Sequence, residues 1–333
     1  MKILITGAAG FIGSHIVEHI LRNTDWEIIT MDRLGVSGNW NRFTDIECWA
    51  KEGHRVTFKH HDLRSPINSL VASELGEFTY ILHLAASTHV DRSITDPMGF
   101  VLDNVVGTTN ILEFARQQSN LKAFLYFSTD EVFGPAPEGT AYKEWDRYNS
   151  GNPYAAAKAG GEEMVLAFAN TYKLPCIITH TMNVFGERQH PEKFIPLVIK
   201  KVLNGEIVTI HANKDKTKAG SRYWIHGRNV AAAILFLLQN PNMEGRPTYE
   251  GKADKFNIVG EREVDNLEMA QFIAKVIGKE LKYEMTDFHS SRPGHDLRYA
   301  LDGSKMKAMG WSLPLTFEES LRKTILWYLK HKN

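Results

Sequence analysis

The chain has 333 residues, 43% of them hydrophobic and 23% charged, which is typical of a globular enzyme with a large core. Its 39 basic and 39 acidic residues balance, which excludes a global electrostatic attraction to nucleic acid or to an anionic membrane surface. Two cysteines, Cys48 and Cys176, make no disulfide framework, and no apolar run is long enough to span a bilayer. We therefore expect a cytoplasmic protein without a signal peptide.

A predicted strand and three glycines open the chain. Residues 2–6 (KILIT) are followed by Gly7, Gly10 and Gly13, and then by a helical pattern. This order lets the backbone approach a pyrophosphate at a helix amino terminus, although the glycines alone would also suit a tight turn. The next predicted strand, 27–31, ends in Asp32 at about the 20-residue distance expected for a ribose-binding acid. Such an acid favours NAD over NADP, and the adjacent Arg33 weakens that preference.

Two more short strands are predicted over 56–59 and 80–84. The small residues that follow the second, beginning at Ala85, would let the backbone lie along a bound cofactor. His83 and His89 lie in and after the second strand, but no acid or thiol cluster with ligand spacing accompanies them. We therefore expect no metal site, and we interpret His83 as a buried or hydrogen-bonded strand residue. Apolar periodicity predicts long helices over 97–118 and 154–172.

The central stretch carries the groups suited to acid–base chemistry. Residues 121–127 read as an apolar strand, and Thr129, Asp130 and Glu131 follow at its carboxyl end, where open α/β sheets bind ligands. Downstream, Tyr154 and Lys158 share one helical face, so the ammonium can lower the pKa of the phenol and make it a base. An Asp-Glu pair after a strand is commonly a solvated loop, but the threonine before it and the Tyr-Lys pair after it favour catalysis.

These motifs resemble the extended short-chain dehydrogenase/reductase family, and the Thr-Asp-Glu trio resembles its nucleotide-sugar 4,6-dehydratase branch. The similarity runs through TGAAGFIGSH, HLAASTHVDRSI, STDEVFG, YAAAK, PEKFIP and RPGHDLRYALD. It implies an α/β fold: a Rossmann-type doubly wound parallel sheet with a smaller, interleaved α/β substrate lobe. The NAD-binding domain would be 1–180, with a return at about 224–258. The nucleotide-sugar lobe would be 181–223 and 259–333.

The resemblance also implies a reaction. A hydro-lyase would convert a nucleoside diphosphate glucose, dTDP-glucose or alternatively a UDP-sugar, into the 4-keto-6-deoxy sugar. Tyr154 would take the proton of the 4-hydroxyl, and Thr129 would hydrogen-bond the same oxygen. Glu131 would remove the C5 proton and Asp130 would protonate the departing C6 hydroxyl, while Lys158 supports the phenol. Adjacent acids push their pKa values apart, which suits these two different roles.

Further binding residues follow from the same resemblance. The NAD-binding set would be Gly7, Gly10, Phe11, Ile12, Gly13, Asp32, Asp62, Leu63, Ala85, Tyr154 and Lys158. The substrate-binding set would be Thr129, Asn183, Lys193, Arg222, Arg292 and His295. Asp62 would serve equally well as a helix cap, and each arginine could instead form a surface salt bridge. The long helices would pair with those of a second subunit in a homodimer.

Two departures leave the nucleobase and the sugar open. Arg222-Tyr223-Trp224 stands where the dehydratases usually have Arg-Asp-Trp, and the segment GVSGNWNRF after Asp32 also differs from the common pattern. The main alternative is a nucleotide-sugar 4-epimerase, which needs no acid–base pair at C5 and C6. A 5,6-dehydratase that leaves an exocyclic alkene, or a non-catalytic NAD-binding regulator, would also suit parts of the pattern.

Overall fold

The computed structural model describes residues 1–240, 253–287 and 298–331. Its strands in chain order are β1 (Lys2–Thr6), β2 (Glu27–Asp32), β3 (Val56–His60), β4 (Tyr80–His83), β5 (Ala123–Thr129), β6 (Cys176–Thr181), β7 (Asn183–Phe185), β8 (Val208–Ala212), β9 (Ser221–His226), β10 (Asp254–Ile258), β11 (Glu263–Asp265) and β12 (Tyr283–Asp287).

Its α-helices are α1 (Phe11–Asn23), α2 (Asn41–Thr44), α3 (Trp49–Glu52), α4 (Ser69–Leu75), α5 (Val90–Thr95), α6 (Pro97–Val101), α7 (Gly107–Ala115), α8 (Pro153–Tyr172), α9 (Phe194–Asn204), α10 (Gly227–Gln239), α11 (Asn266–Ile277), α12 (Ser304–Ala308) and α13 (Phe317–Lys330). Short 3₁₀ turns cover Gly53–Arg55 and Asp130–Phe133, and a π-helical turn covers Leu102–Val106.

Seven parallel strands form the central sheet, in the order β10-β6-β5-β4-β1-β2-β3. The chain moves outward from β1 in one direction through β2 and β3, then resumes on the other side of β1 with β4. The carboxyl ends of β1 and β4 therefore meet where the winding reverses, which is the position at which such sheets bind ligands. The predicted Rossmann-type doubly wound fold is confirmed.

Helices cover both faces of this sheet, which explains why the central strands β4, β5 and β6 are buried along nearly their whole length. Helices α1 and α10 pack together on one face, and their core includes Ile16 and Ile234. Helices α7 and α8 cover the other face with a core that includes Leu112 and Phe168. Each large apolar side chain buried in this way contributes roughly 1.5–3 kcal/mol.

A smaller set of elements builds a separate core. Strand β9 pairs with β7 in parallel and with β11 in antiparallel orientation, and β8 pairs with β12. Helices α9, α11 and α13 pack there around Val198, Ile273 and Leu321. Strand β10 returns the chain to the central sheet, and Met306 of α12 packs into the core on the α1 face. The exact bounds predicted for the two lobes stay a prediction.

The helix predicted over 97–118 is interrupted and ends early. Asp96 caps α6 by accepting a hydrogen bond from the Gly99 amide at 2.9 Å, and Pro97 occupies the first turn. A π turn then inserts one extra residue before α7, which ends at Ala115. The apolar spacing of the sequence does not reveal such a turn, because the buried side chains on either side of the turn still face the sheet. None of the described helices is long and apolar enough to cross a membrane.

Candidate active site

The turn after β1 is shaped to receive a phosphate group. Gly7 has a φ of +70°, and a Cβ there would stand 2.6 Å from the Ala85 amide nitrogen. A Cβ on Gly13 would stand 2.6 Å from the Gly7 carbonyl oxygen, so neither position accepts a larger residue. Helix α1 begins at Phe11, and the first amides of a helix have no intrahelical acceptors. These residues fit the pyrophosphate of a dinucleotide.

Asp32 lies at the carboxyl end of β2, beside the glycine turn. Its Oδ2 accepts a hydrogen bond from the Ala9 amide at 3.1 Å, and its Oδ1 accepts one from the Leu34 amide at 2.8 Å. Burial raises its pKa, and the two amides oppose that effect. The carboxylate is thus fixed where a Rossmann fold places the acid that holds a ribose.

Asp62 and Leu63, two residues of the predicted NAD-binding set, follow β3, the next strand along the sheet. Asp62 follows β3, accepts a hydrogen bond from the Arg64 amide at 3.0 Å and lies 3.4 Å from Nη1 of Arg33. Leu63 is buried, and its carbonyl oxygen accepts a hydrogen bond from Asn110 at 2.7 Å. Asp62 therefore makes a local capping interaction, and it also lies at a position suited to contact with a cofactor.

His83 has the structural role that the sequence indicated. Its two ring nitrogens lie 2.7 Å from Oγ1 of Thr6 and 3.0 Å from Oγ1 of Thr108, and the ring is buried. Burial, with a smaller effect of Lys158, lowers the pKa of His83 to about 3, so the ring is neutral. Within the described residues, no three His, Cys, Asp or Glu side chains are grouped closely enough to hold a metal ion.

Thr129, Asp130 and Glu131 occupy the carboxyl end of β5 and begin a 3₁₀ turn. The hydroxyl of Thr129 donates to Oδ1 of Asp130 at 2.9 Å and accepts from the Glu131 amide at 3.3 Å. Thr129 and Asp130 are both buried. Oδ2 of Asp130 is buried and has no hydrogen-bond partner within the described residues. The Asp130-Glu131 pair is therefore not the solvated loop that such a pair commonly forms.

Burial gives both carboxyl groups unusual proton affinities. It raises the pKa of Asp130 to about 6, although the Thr129 hydrogen bond and the charge of Arg222 favour ionisation. Burial and the neighbouring charge of Asp130 raise the pKa of Glu131 to about 7, while Asn152 and Arg222 oppose that shift. Both pKa values therefore lie near neutral pH, the range in which a general acid or base is most effective.

Helix α8 brings Tyr154 and Lys158 to the same place. The sequence predicted that Lys158 would lower the pKa of Tyr154, but that pKa is raised. Burial and the charge of Glu131 raise the pKa of Tyr154, and a hydrogen bond with Thr129 lowers it by a smaller amount. Lys158 donates to the Phe127 carbonyl oxygen at 2.7 Å, and burial lowers its own pKa to about 7. The protein alone therefore keeps the proton on the phenol, because burial and the neighbouring carboxylates disfavour the phenolate.

Three of the predicted substrate residues, Asn183, Lys193 and Arg222, lie on the smaller sheet or in the loop before α9. Arg222 is on β9, its guanidinium carbon is 4.8 Å from the centre of the Tyr299 ring, and its charge acts on both active-site carboxyls. Lys193 precedes α9, and its charge acts on Glu131. Asn183 begins β7, in register with Trp224. Arg292 and His295 lie outside the described residues.

Sequence reasoning missed Asn152, which connects the helix to the carboxyl pair. Its Oδ1 accepts a hydrogen bond from the Ala155 amide at 2.8 Å and so caps α8. Its Nδ2 donates to Oε2 of Glu131 at 3.1 Å. An asparagine before a proline that opens a helix is a recognisable cap, but its second bond depends on a distant turn.

The sequence and the structure were compared with those of known proteins. The model of the NAD dependent epimerase/dehydratase family matches residues 3–250. The chain belongs to this family. The dTDP-glucose 4,6-dehydratase of Salmonella typhimurium is 36% identical over 99% of this chain and 93% of its own length.

Two solved structures show the same fold at full length. The dTDP-glucose 4,6-dehydratase DesIV of Streptomyces venezuelae, solved with NAD bound, has a TM-score of 0.85 and 32% identity over 99% of this chain and 98% of its own. The UDP-glucose 4-epimerase of Thermus thermophilus, also solved with NAD, has a TM-score of 0.84 and 28% identity, with all of both chains covered. Fold similarity therefore accommodates both a dehydratase and an epimerase, and the site residues must separate them.

Proposed function

We propose that this family member dehydrates a nucleoside diphosphate glucose to the 4-keto-6-deoxy sugar, with NAD as its cofactor. The observation that carries the proposal is the pair of buried Asp130 and half-buried Glu131, whose pKa values of about 6 and about 7 allow the pair to hold one proton near neutral pH. A 4-epimerase has no step that uses such a pair. The 36% identity to a dTDP-glucose 4,6-dehydratase supports the same choice.

NAD fits the glycine turn and Asp32, and it supplies a positively charged ring that accepts a hydride and can return it. The hydroxyl of Thr129 acts on the pKa of Tyr154, which places the two hydroxyls near each other, so both can contact the sugar 4-hydroxyl. The positive charge of bound NAD would lower the pKa of Tyr154, and the resulting phenolate would take the hydroxyl proton as C4 is oxidised. The charges of Glu131 and Asp130 raise the pKa of Tyr154, so a proton on Asp130 favours this transfer.

Elimination of water assigns different tasks to the two carboxyl groups. The C4 ketone acidifies the C5 proton, which Glu131 removes while Asn152 holds its Oε2. At this step the proton shared by the pair must lie on Asp130, which donates it to the leaving C6 oxygen, and the unpartnered buried Oδ2 of Asp130 is the atom suited to that donation. General acid–base catalysis of this kind contributes about 10²–10⁴-fold each.

The positive side chains beyond the carboxyl pair suit the substrate diphosphate. Arg222 offers the planar geometry that binds phosphate oxygens in pairs, and Lys193 contributes a point charge. Asn183, Arg292 and His295 complete the proposed set. We propose dTDP-glucose as the substrate because relatives that are 36% identical are dTDP-glucose 4,6-dehydratases. A UDP-sugar is the alternative, because the departure at Tyr223 lies next to Arg222, a predicted nucleotide contact.

We also propose a homodimer formed through α5–α7 and α8. Ile94, Met98, Val101 and Leu102 are exposed apolar side chains at helical spacing, and Met98 is 64% accessible. A stripe of this kind on a helical surface is a typical subunit contact.

The cytoplasm remains the proposed compartment, since Cys48 and Cys176 are both unpaired thiols.

A panel of nucleotide sugars incubated with the protein in deuterated water tests the reaction. The proposal predicts loss of one water and gain of one deuterium at C5, with dTDP-glucose the most active substrate. Loss of water without deuterium at C5 would indicate an exocyclic alkene. A new C4 epimer of unchanged composition would overturn the dehydratase proposal in favour of the epimerase.

A further inference from the structure

Asp103 binds two arginines beside the predicted ribose site. Its Oδ1 and Oδ2 each accept a hydrogen bond of 2.7 Å from Arg33, one from Nη1 and one from Nη2. Nε of Arg64 also donates to Oδ1 at 2.7 Å, and the hydroxyl of Ser87 donates to Oδ2 at 2.6 Å. Paired, charge-assisted bonds are the strongest class of side-chain hydrogen bond.

Arg33 stands where a phosphate-binding arginine would decide cofactor choice. It follows Asp32, which is tied to the glycine turn through the Ala9 amide. In Rossmann folds the acid at this strand end takes the ribose hydroxyls, and an arginine nearby accommodates the 2′-phosphate of NADP. Arg33 also lies 3.4 Å from both carboxylate oxygens of Asp62. Its guanidinium is therefore occupied by carboxylates.

The π turn between α6 and α7 delivers Asp103 to this position. The turn spans Leu102–Val106, and the Asp103 side chain on it is only 7% accessible. The next residue, Asn104, accepts from the Ser87 amide at 2.8 Å and donates to the Ser87 carbonyl oxygen at 3.0 Å. Because this clamp fixes the turn to the loop after β4, Asp103 is held on a rigid support. Turns of this type are frequent at functional sites.

We propose that Asp103 makes the protein select NAD over NADP by occupying Arg33 and Arg64, so that neither guanidinium can receive a 2′-phosphate. This inference rests on the proposed function, in which NAD is the cofactor. Although burial favours the neutral form, hydrogen bonds from Arg64, Arg33 and Ser87 hold the pKa of Asp103 below its usual value, so it stays charged. Asp32 and Asp62 add further repulsion for a phosphate.

A nucleotide competition measures this selection without any sugar. The purified full chain is incubated with equimolar NAD⁺ and NADP⁺, separated from unbound nucleotide and denatured, and the released nucleotides are quantified by mass spectrometry. Asp103→Asn keeps the shape and an acceptor for Ser87 but removes the charge. The NADP-to-NAD ratio should rise roughly tenfold or more, the effect of one charge-assisted hydrogen bond gained.

Three further variants test whether the change in the NADP-to-NAD ratio depends on Arg33. Arg33→Ala added to Asp103→Asn should return the ratio toward the wild-type value, since Arg33 is the group that was released. Glu113→Gln, which removes an exposed partner of Arg116 on α7, should leave the ratio unchanged. Arg33→Ala alone should also leave it within about twofold, because the wild-type guanidinium is already occupied.

An unchanged ratio in a folded Asp103→Asn variant would overturn the inference. If that variant does not fold, Arg33→Ala alone still decides: a tenfold fall in retained NADP would show that Arg33 already serves a phosphate, against the proposal. Wild-type protein that retains neither nucleotide would overturn the NAD assignment and this inference together. Failure of sugar dehydration in the product assay would leave the competition result unaffected.

Discussion

Asp130 carries its carboxyl group in a place that destabilises the ionised form. Its side chain is buried, one oxygen accepts from Thr129, and the other has no partner within the described residues. Burial of a charge without full hydrogen bonding costs free energy, and the group responds by holding its proton more tightly. The cost is fully present above the folded pKa of about 6 and disappears below the unfolded value of 3.8.

We therefore expect Asp130→Asn to stabilise the protein while impairing elimination. The free energy of unfolding should rise by about 2 kcal/mol at pH 8, and by about half as much at pH 5, where the wild-type penalty is partly relieved. Urea unfolding at both pH values measures this difference. Asp25→Asn, at an exposed position, serves as the control and should show no pH-dependent gain. A less stable Asp130→Asn variant at pH 8 would contradict the account.

Substitutions of Glu131 and of Tyr154 should block different sets of reaction steps. Glu131→Gln keeps the contact with Asn152 but removes the base, so oxidation at C4 should continue while loss of water slows by about 10²-fold or more. Tyr154→Phe should stop both steps because it removes the group that takes the hydroxyl proton. Reduction of quenched samples with borodeuteride labels any 4-keto hexose for mass spectrometry. Equal accumulation of this intermediate in both variants would contradict the assignment.

Sequence motifs predicted where the candidate site residues lie in the fold but not their electrostatics. Thr129, Asp130 and Glu131 follow a strand directly, so the sheet alone places them at its carboxyl end. The raised pKa of Tyr154 depends on burial by other elements, which no local spacing reveals. Asp103 was missed for a similar reason, since its partner Arg33 is 70 residues away and only the π turn brings the two together.

At the scale of elements, helix α8 is anchored through a buried ion pair one turn beyond Lys158. Glu162 is fully buried and accepts hydrogen bonds from Ser128 at 2.9 Å and from Lys255 at 2.9 Å. His180 lies 3.2 Å from the same carboxylate. These partners come from β5, β10 and β6, so one side chain ties the catalytic helix to three central strands.

Lys255→Met should therefore destabilise the protein strongly, because it leaves the carboxylate of Glu162 buried without its cation. The expected loss is about 3–5 kcal/mol, and Glu162→Gln added to it should recover part of that loss. Denaturant unfolding measures both effects. Lys59→Met removes an exposed partner of Glu74 and should cost less than about 1 kcal/mol. A loss equally small for Lys255→Met would show that the network contributes no anchoring.

The sequence predicted whether an element is a helix or a strand better than it predicted whether a helix is continuous. Strand β1 was predicted with its exact bounds, since apolar residues and a glycine turn define both of its ends. The helix over 97–118 was predicted as one piece because its apolar spacing persists across the π turn. Turns of this kind depend on side chains that bind other segments, as Asn104 binds Ser87, and local patterns do not record them.

At the scale of the whole molecule, the proposed homodimer depends on an apolar stripe. Met98 and Val101 are exposed on α6, next to Leu102. Met98→Lys combined with Val101→Glu should convert the dimer to a monomer, because each charge would have to be buried at the contact. Analytical ultracentrifugation of variant and wild type tests this. Leu70→Lys, at another exposed apolar position on α4, should not change the sedimentation. A variant that stays dimeric would place the contact elsewhere.

In the proposed reaction, the hydrogen at C4 of the sugar ends at C6 of the same sugar after water has left. The most direct measurement uses dTDP-glucose deuterated at C4, incubated with the protein in ordinary water and analysed by mass spectrometry and NMR. The account predicts a 4-keto-6-deoxy product that has lost one water and carries the deuterium at C6. A product with the deuterium still at C4, or a dehydrated product without deuterium, would contradict it.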